Sequence, residues 1–217
     1  METILDADRL TIYRADALEY LRKLPDNAFD VCLTDPPYGV GIAKRGMVGN
    51  KAVSFAPSSW DAKRPAREYF DEIRRVSRVQ IIWGGNYFAD ILGASRCWLV
   101  WHKRPKNATC FADCELAWTS MDANARVLVH EWNGFRKHEP EVRFAHPTQK
   151  PLRLFSWCLS HVKGEVRSVL DPFMGTGTTL VAAQKLGIRA VGIDQDRAYC
   201  EIAAGRLLKA EEFREAA

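Results

Sequence analysis

A mostly apolar run, Phe29 to Thr34, stops against Asp35-Pro36-Pro37-Tyr38. Proline has no N–H and a fixed φ, so neither Pro36 nor Pro37 can extend a central ladder. The residue before a proline is pushed to extended geometry. The run therefore reads as a buried strand with Asp35 at its carboxyl end. There the Asp35 carboxylate and the Pro36 carbonyl make a pair of acceptors, and Tyr38 offers a flat face. That combination suits a planar, amino-bearing ring such as a nucleobase. Taken alone, the same four residues also fit a strand-to-loop turn with a surface tyrosine.

The flanking sequence sets this strand in a parallel sheet. Thr11–Tyr13 reads as a strand, Asp16 as a cap, and Ala17–Leu24 as a helix with apolar Leu18, Leu21 and Leu24. Pro25–Asn27 is a turn, which completes a strand–helix–strand unit. Further on, helices are expected over Glu68–Arg78, Tyr87–Leu92, Leu152–Val162, Leu180–Leu186 and Arg197–Glu212. Strands are expected over Val79–Trp83, Cys97–Trp101, Cys114–Trp118, Val127–Val129, Glu165–Leu170 and Arg189–Ile193. Such alternation predicts an α/β fold, and 217 residues with 47% hydrophobic content suit a single domain over 1–217. No apolar run reaches membrane-spanning length, and Met1–Asp8 lacks the basic-then-apolar pattern of a signal peptide. A cytoplasmic protein is the expectation.

Two stretches interrupt the rhythm. Residues 39–65 carry Gly39, Gly41, Gly46 and Gly49 with Lys44 and Arg45, and read as a mobile basic loop that closes over a polyanion. Residues 120–146 interleave Arg126, His130, Trp132, Arg136, Lys137 and Arg143, which suits a small target-recognition insert and equally a solvated insertion. Pro37, Lys44, Arg45, Trp118, Arg136 and Lys137 are the candidates for contact with substrate. A net charge of +4 permits nucleic-acid binding without demanding it. The six cysteines show no Cys-x-x-Cys spacing, which argues against a zinc ribbon. Cys110 and Cys114 with His102 make at most half a metal site, and ordinary reduced thiols are the reading preferred, with no metal expected.

The second motif is Asp171-Pro-Phe-Met-Gly-Thr-Gly177. A strand, a Gly-x-Gly turn, a helix and a second strand ending in Asp194 follow the logic of adenosine binding. The third glycine of the dinucleotide fingerprint is replaced by Leu180, and no hydride-transfer set is evident, so a nicotinamide dehydrogenase is disfavoured.

Together, Asp35-Pro-Pro-Tyr38 and Phe173-Met-Gly-Thr-Gly177 resemble the S-adenosylmethionine-dependent amino-group DNA methyltransferases. The catalytic motif comes first, then the insert, then His146-Pro-Thr-Gln-Lys-Pro151, then the cofactor motif, an order similar to the circularly permuted beta class. Ala15-Asp-Ala-Leu18 matches a family pattern that usually begins with glycine. The resemblance implies a Rossmann-like, mostly parallel sheet of seven strands with one antiparallel strand and helices on both faces. It implies S-adenosyl-L-methionine as cofactor. Phe173, Gly175 and Gly177 would wall its methionine end, with Asp171 near its amino group and Thr148 and Lys150 near its carboxylate. Asp194 would bind the ribose and Asp16 the adenine amino group. Asp35 and Pro36 would accept the hydrogens of the target amine, and Tyr38 would stack on the target base. The implied partner is duplex DNA with the base flipped from the stack, single-stranded DNA being a second form, and homodimers are common in the family.

Asp in the first motif position is typical of N6-adenine enzymes, Ser of N4-cytosine enzymes. N6 of adenine is the expected target, with N4-cytosine and RNA adenine as alternatives. A catalytically silent nucleic-acid-binding module is the alternative of a different class. The absence of a Pro-Cys dipeptide argues against the cysteine route of C5-cytosine enzymes.

Overall fold

In the computed structural model, residues 1–40, 63–103, 112–133, 136–137 and 150–215 are described. In chain order the elements are β1 (Glu2–Ala7), β2 (Leu10–Arg14), α1 (Ala17–Leu21), β3 (Phe29–Thr34), α2 (Arg67–Val76) and β4 (Ser77–Trp83). A 3-10 turn (Gly85–Tyr87) and α3 (Ala89–Leu92) lead to β5 (Trp98–His102), β6 (Cys114–Thr119) and β7 (Arg126–Val129). A small ladder of β8 (Trp132–Asn133) and β9 (Arg136–Lys137) follows. Then come α4 (Leu152–Ser160), β10 (Ser168–Asp171), α5 (Thr178–Lys185), β11 (Arg189–Asp194) and α6 (Arg197–Glu215).

The main sheet has nine strands in the order β1-β2-β11-β10-β3-β4-β6-β5-β7. The stretch from β2 to β5 is the expected seven-stranded sheet, with β6 as its one antiparallel member. The expectation of seven is corrected at both edges: β1 pairs antiparallel with β2, and β7 pairs parallel with β5. Chain connections leave β10 toward β11 on one side and β3 toward β4 on the other. The strand order thus reverses between β10 and β3, where open α/β sheets bind ligands at strand carboxyl ends.

The interior strands read as continuous apolar runs because helices cover both faces. Ile81 and Trp83 point into the core with Leu154, Phe155, Leu180 and Leu207, residues of α4, α5 and α6. Ile82 points the other way, toward Leu21, Phe70, Ile73 and Ile91 of α1, α2 and α3. Val169 and Leu170 divide between the two cores in the same manner. Asp16 does cap α1, accepting from the Glu19 N–H at 3.0 Å. The helix ends at Leu21 rather than Leu24, and Arg75 takes over its carboxyl end by donating to the carbonyls of Leu21 (2.9 Å) and Leu24 (2.8 Å). Strand β10 starts at Ser168, three residues later than Glu165.

After β4 the chain turns at Gly84-Gly85 and runs against β6. A Cβ on Gly85 would lie 2.5 Å from Trp118 Cβ and 2.7 Å from its backbone N. Neither atom can swing aside, so β6 itself would have to move. Gly85→Ala is expected to cost about 1–3 kcal/mol or more, measured as a drop in urea midpoint with an unchanged slope.

Candidate active site

A cavity of about 900 Å³ opens at the switch point, lined by the ends of β3, β10 and β11. Asp35, Pro36, Pro37, Tyr38, Glu115 and Lys150 line it, and so do Phe173, Gly175 and Asp194. The two sequence motifs therefore share one space.

Asp171 joins them. Its Oδ1 accepts from Thr34 Oγ1 at 2.7 Å, 137 residues away in sequence, and from the Phe173 N–H at 3.1 Å. Its Oδ2 accepts from Thr179 Oγ1 at the start of α5. The carboxylate is 3% exposed, and its acceptor positions are used within the protein. It therefore ties β3, the glycine turn and α5 together, and it also lines the cavity in which a ligand amino group was expected beside it. Burial pushes its carboxyl up to about 7, against the three donated hydrogen bonds that pull it down.

The glycine turn needs its glycines for two different reasons. Gly175 and Gly177 both have positive φ, +51° and +76°. Gly175 lines the cavity, and its N–H donates to Asp194 Oδ2 at 3.0 Å. Gly177 does not line it: a Cβ there would meet Ala203 Cβ at 2.8 Å, so this glycine serves the packing of α6. Asp194 ends β11 and faces the cavity, and burial raises its carboxyl to about 6, opposed by the N–H groups of Asp196 and Gly175. Asp16 stands beside the cavity, bordering a smaller hollow that shares Ala15 and Gln195 with it. Asp16 Oδ2 already accepts from Tyr69 OH (3.1 Å) and Gln195 Nε2 (2.7 Å).

Asp35 emerges half-buried at the end of β3. Tyr38 OH donates to its Oδ1. Lys150 Nζ donates to its Oδ2 at 2.5 Å. The Tyr38 ring is stacked on Tyr87, with centroids 4.7 Å apart and planes 15° from parallel, and it packs over Gly84. Tyr87 is 42% exposed and lines the cavity beside Tyr38, adding a second aromatic face to it. Lys150 is buried, and its ammonium also reaches Glu115 Oε2 at 3.1 Å. Lys103 pairs with the other Glu115 oxygen at 2.5 Å. Burial pushes the Asp35 carboxyl up and Glu115 adds to the rise, while Lys150 pulls it down.

Other expected residues lie elsewhere. Trp118 is a core residue, 5% exposed, with its indole N–H donated to the Gly93 carbonyl at 3.1 Å, and it does not line the cavity. Arg136 and Lys137 form β9 in the two-stranded ladder, apart from the main sheet. Lys44, Arg45, Thr148 and nearly all of the 39–65 loop fall outside the described residues, as does Cys110. His102 and Cys114 are register partners on β5 and β6, and no group of three metal-ligating side chains forms among the described residues. No described helix is long and apolar enough to cross a membrane. Sequence reasoning missed Glu115, Lys103, Tyr69 and Tyr87. A signal existed for Glu115, a charge inside an otherwise buried strand, Cys-Glu-Leu-Ala-Trp.

Residues 86–205 match a family model described as DNA methylase. The chain is 24% identical to the type II methyltransferase M2.LlaDCHI of Lactococcus lactis subsp. cremoris over 96% of its own length and 93% of that protein's. It is 25% identical to the type II methyltransferase M2.DpnII of Streptococcus pneumoniae, with 92% and 90% covered. Among solved structures, the M1.HpyAVI–SAM complex superposes with a TM-score of 0.59 at 24% identity, covering 91% of this chain and 99% of that one. The cytosine-N4-specific PvuII DNA methyltransferase superposes at 0.56 and 13% identity, covering 91% and 86%.

The environment of Asp171 has a consequence for stability. A free aspartate titrates near 3.9, so between roughly pH 4 and 7 the folded chain binds more protons here than the unfolded one. Its contribution is fully present below the unfolded value and is lost as pH rises through about 7. The stability of the wild type relative to Asp171→Asn should therefore fall, by up to about 4 kcal/mol, as pH is raised across that window. Urea unfolding of both proteins at several pH values measures it. A constant difference would mean that Asp171 stays ionised throughout.

Proposed function

The chain belongs to the DNA methylase family, and from that premise we propose that it methylates the N6 amino group of adenine in DNA with S-adenosylmethionine as donor. The observation that carries this reading is the meeting of the Asp35-Pro36 acceptor pair and the glycine turn in one cavity. A pocket for the cofactor alone would not need the first, and a base-binding module would not need the second.

The cavity's donor set fits S-adenosylmethionine. Its volume lies within the usual range for such sites. Asp194 offers a carboxylate for a ribose, the turn at Gly175 lets backbone approach closely, and Phe173 and Tyr69 form an aromatic wall with centroids 5.7 Å apart. Asp16 and Gln195 serve the adenine end as a linked pair. When bound, the cofactor supplies an electrophilic sulfonium methyl.

The chain's own residues do the rest. An exocyclic amine is a poor nucleophile because its lone pair is delocalised into the ring. The Asp35 carboxylate and the Pro36 carbonyl accept its two N–H bonds, which draws the nitrogen toward tetrahedral and frees the lone pair. Tyr38 holds the Asp35 carboxylate by its hydroxyl. The surplus proton of the methylated nitrogen leaves through Asp35, the acceptor already bonded to it. The target base leaves the duplex stack to reach this point, and Tyr87 gives it an aromatic face. Residues 120–146 contact the DNA around it, and the basic loop 39–65 closes over the phosphates. Asp in the first motif position favours adenine over cytosine.

Asp35→Ala should lower methyl transfer by roughly 10²–10³-fold or more, while cofactor affinity measured by calorimetry stays within a few-fold. Turnover at the wild-type rate would remove Asp35 from the mechanism. Nucleoside mass spectrometry after reaction with duplex DNA, single-stranded DNA and RNA should find N6-methyladenine in DNA. N4-methylcytosine would overturn the base, and product in RNA alone would overturn the substrate.

A further inference from the structure

Lys150 was expected at a cofactor carboxylate. Its ammonium is instead surrounded by protein: Asp35 Oδ2 at 2.5 Å, Glu115 Oε2 at 3.1 Å and Tyr38 OH at 3.4 Å. The ammonium donates hydrogen bonds to Asp35 and Tyr38, and the Glu115 carboxylate meets it as an ion pair. The side chain is 6% exposed, so water offers little in exchange. The backbone is fixed as well, because Pro151 follows as the N-cap of α4, whose Leu154 and Phe155 are buried in the core. Beyond Glu115 comes Lys103, which also packs its ammonium 5.0 Å from the Trp101 ring. The four side chains form a line of alternating charge, Lys103–Glu115–Lys150–Asp35, with no net charge and with Asp35 at its end.

We propose that Lys150 and Glu115 are positioning residues for Asp35: clamped between the two carboxylates, the Lys150 ammonium fixes the Asp35 carboxylate as an acceptor and keeps it ionised, and Glu115 fixes Lys150. The role rests on the reading that Asp35 accepts the hydrogens of the target amine. Protonated, Asp35 would turn one acceptor oxygen into a donor and lose charge-assisted strength. Without Lys150, two carboxylates would share one poorly solvated site, and one of them would take up a proton. Without Glu115, Asp35 would keep its ammonium partner and lose a like charge. The two substitutions therefore act on the titration of Asp35 in opposite directions, and what separates a positioning role from a merely structural ion cluster is that the acid limb of kcat follows them. The other charged and titratable groups around Asp35 among the described residues are Tyr38, Asp171 at the end of β10, Lys103 at the end of β5, and Lys63 and Arg64 on the cavity wall.

The test reads Asp35 directly. The full chain is labelled with ¹³C at aspartate carboxyls, the Asp35 resonance is assigned by its loss in Asp35→Asn, and its titration midpoint is followed by NMR. Circular dichroism checks that each variant is folded. In Lys150→Met the midpoint should rise by about one pH unit or more, in Glu115→Gln it should fall, and in Lys150→Arg it should stay near the wild-type value. The acid limb of kcat for methyl transfer should move in the same directions, with the KM for S-adenosylmethionine changed less than about threefold. Should Lys150→Met fail to fold, Glu115→Gln and Lys150→Arg carry the test. Midpoints that do not move, or that move the same way in both charge-removing variants, overturn the clamp. Midpoints that move as expected in a protein that methylates no nucleic acid support the clamp and overturn the proposed activity instead.

Discussion

The hydrogen bond from Thr34 to Asp171 ties together two strands that the order of the chain does nothing to bring near each other. β3 and β10 share only two register pairs, Val31 with Val169 and Cys32 with Leu170. Beyond those pairs no ladder joins the two strands, and side chains must hold what the ladder no longer holds. Asp171 does so with both oxygens, binding Thr34 on one strand and Thr179 on the helix that follows the other. A buried carboxylate is stable only when its lone pairs are used, so this geometry tolerates little slack. The position of Asp35 relative to the glycine turn is set by that constraint. Asp35 directly follows Thr34, and the glycine turn lies between Phe173 and Thr179; Thr34, Phe173 and Thr179 all bond Asp171.

Electrostatics then decides what Asp35 can be. A carboxylate at a dry cleft drifts toward its neutral form, and a second carboxylate nearby strengthens the drift. Glu115 is such a neighbour, so the site holds the ingredients of a protonated acid as well as of an acceptor. The ammonium of Lys150 stands between them and opposes that drift, at 2.5 Å from one and 3.1 Å from the other. A buried ion pair of this kind is weak ground for a claim of stability. Its value lies in the state it imposes on a group that has work to do.

The sequence made the sheet legible wherever the signal was local. Pro36 and Pro37 ended β3, and the apolar runs marked the interior strands. The edges were less legible, because Glu-Thr-Ile-Leu-Asp-Ala of β1 does not alternate: Ile4 and Leu5 stand side by side where the register shifts. At the site, Asp35, Phe173, Gly175 and Asp194 were readable because each belongs to a compact motif at a strand end. The packing tasks of Gly177 and Asp171 were not legible, since their partners, Ala203 and Thr34, are remote in sequence. Trp118 was taken for a contact with substrate. Only the return of β6 beside β4 shows that it is core. Lys150 was the hardest case: nothing near it in sequence names Glu115 as its partner.

What remains is why the tetrapeptide after β3 holds a single shape at all, since two prolines fix φ but not the path of the side chains around them. The neighbours on the sheet supply the missing restraints one at a time. β4 is followed by Gly84, with φ of +68°, and a Cβ there would lie 2.1 Å from Tyr38 Cε1, so the glycine makes the seat on which the Tyr38 ring rests. The turn after it brings Tyr87 against that ring, and β6 behind the turn sends Glu115 to Lys150. β10 fixes Thr34 through Asp171. Tyr38 in turn holds one Asp35 oxygen while Lys150 holds the other. The acceptor geometry of Asp35 is thus a property of four strand ends together, and a chain that kept Asp-Pro-Pro-Tyr but lost Gly84 or Glu115 would keep the motif without its shape.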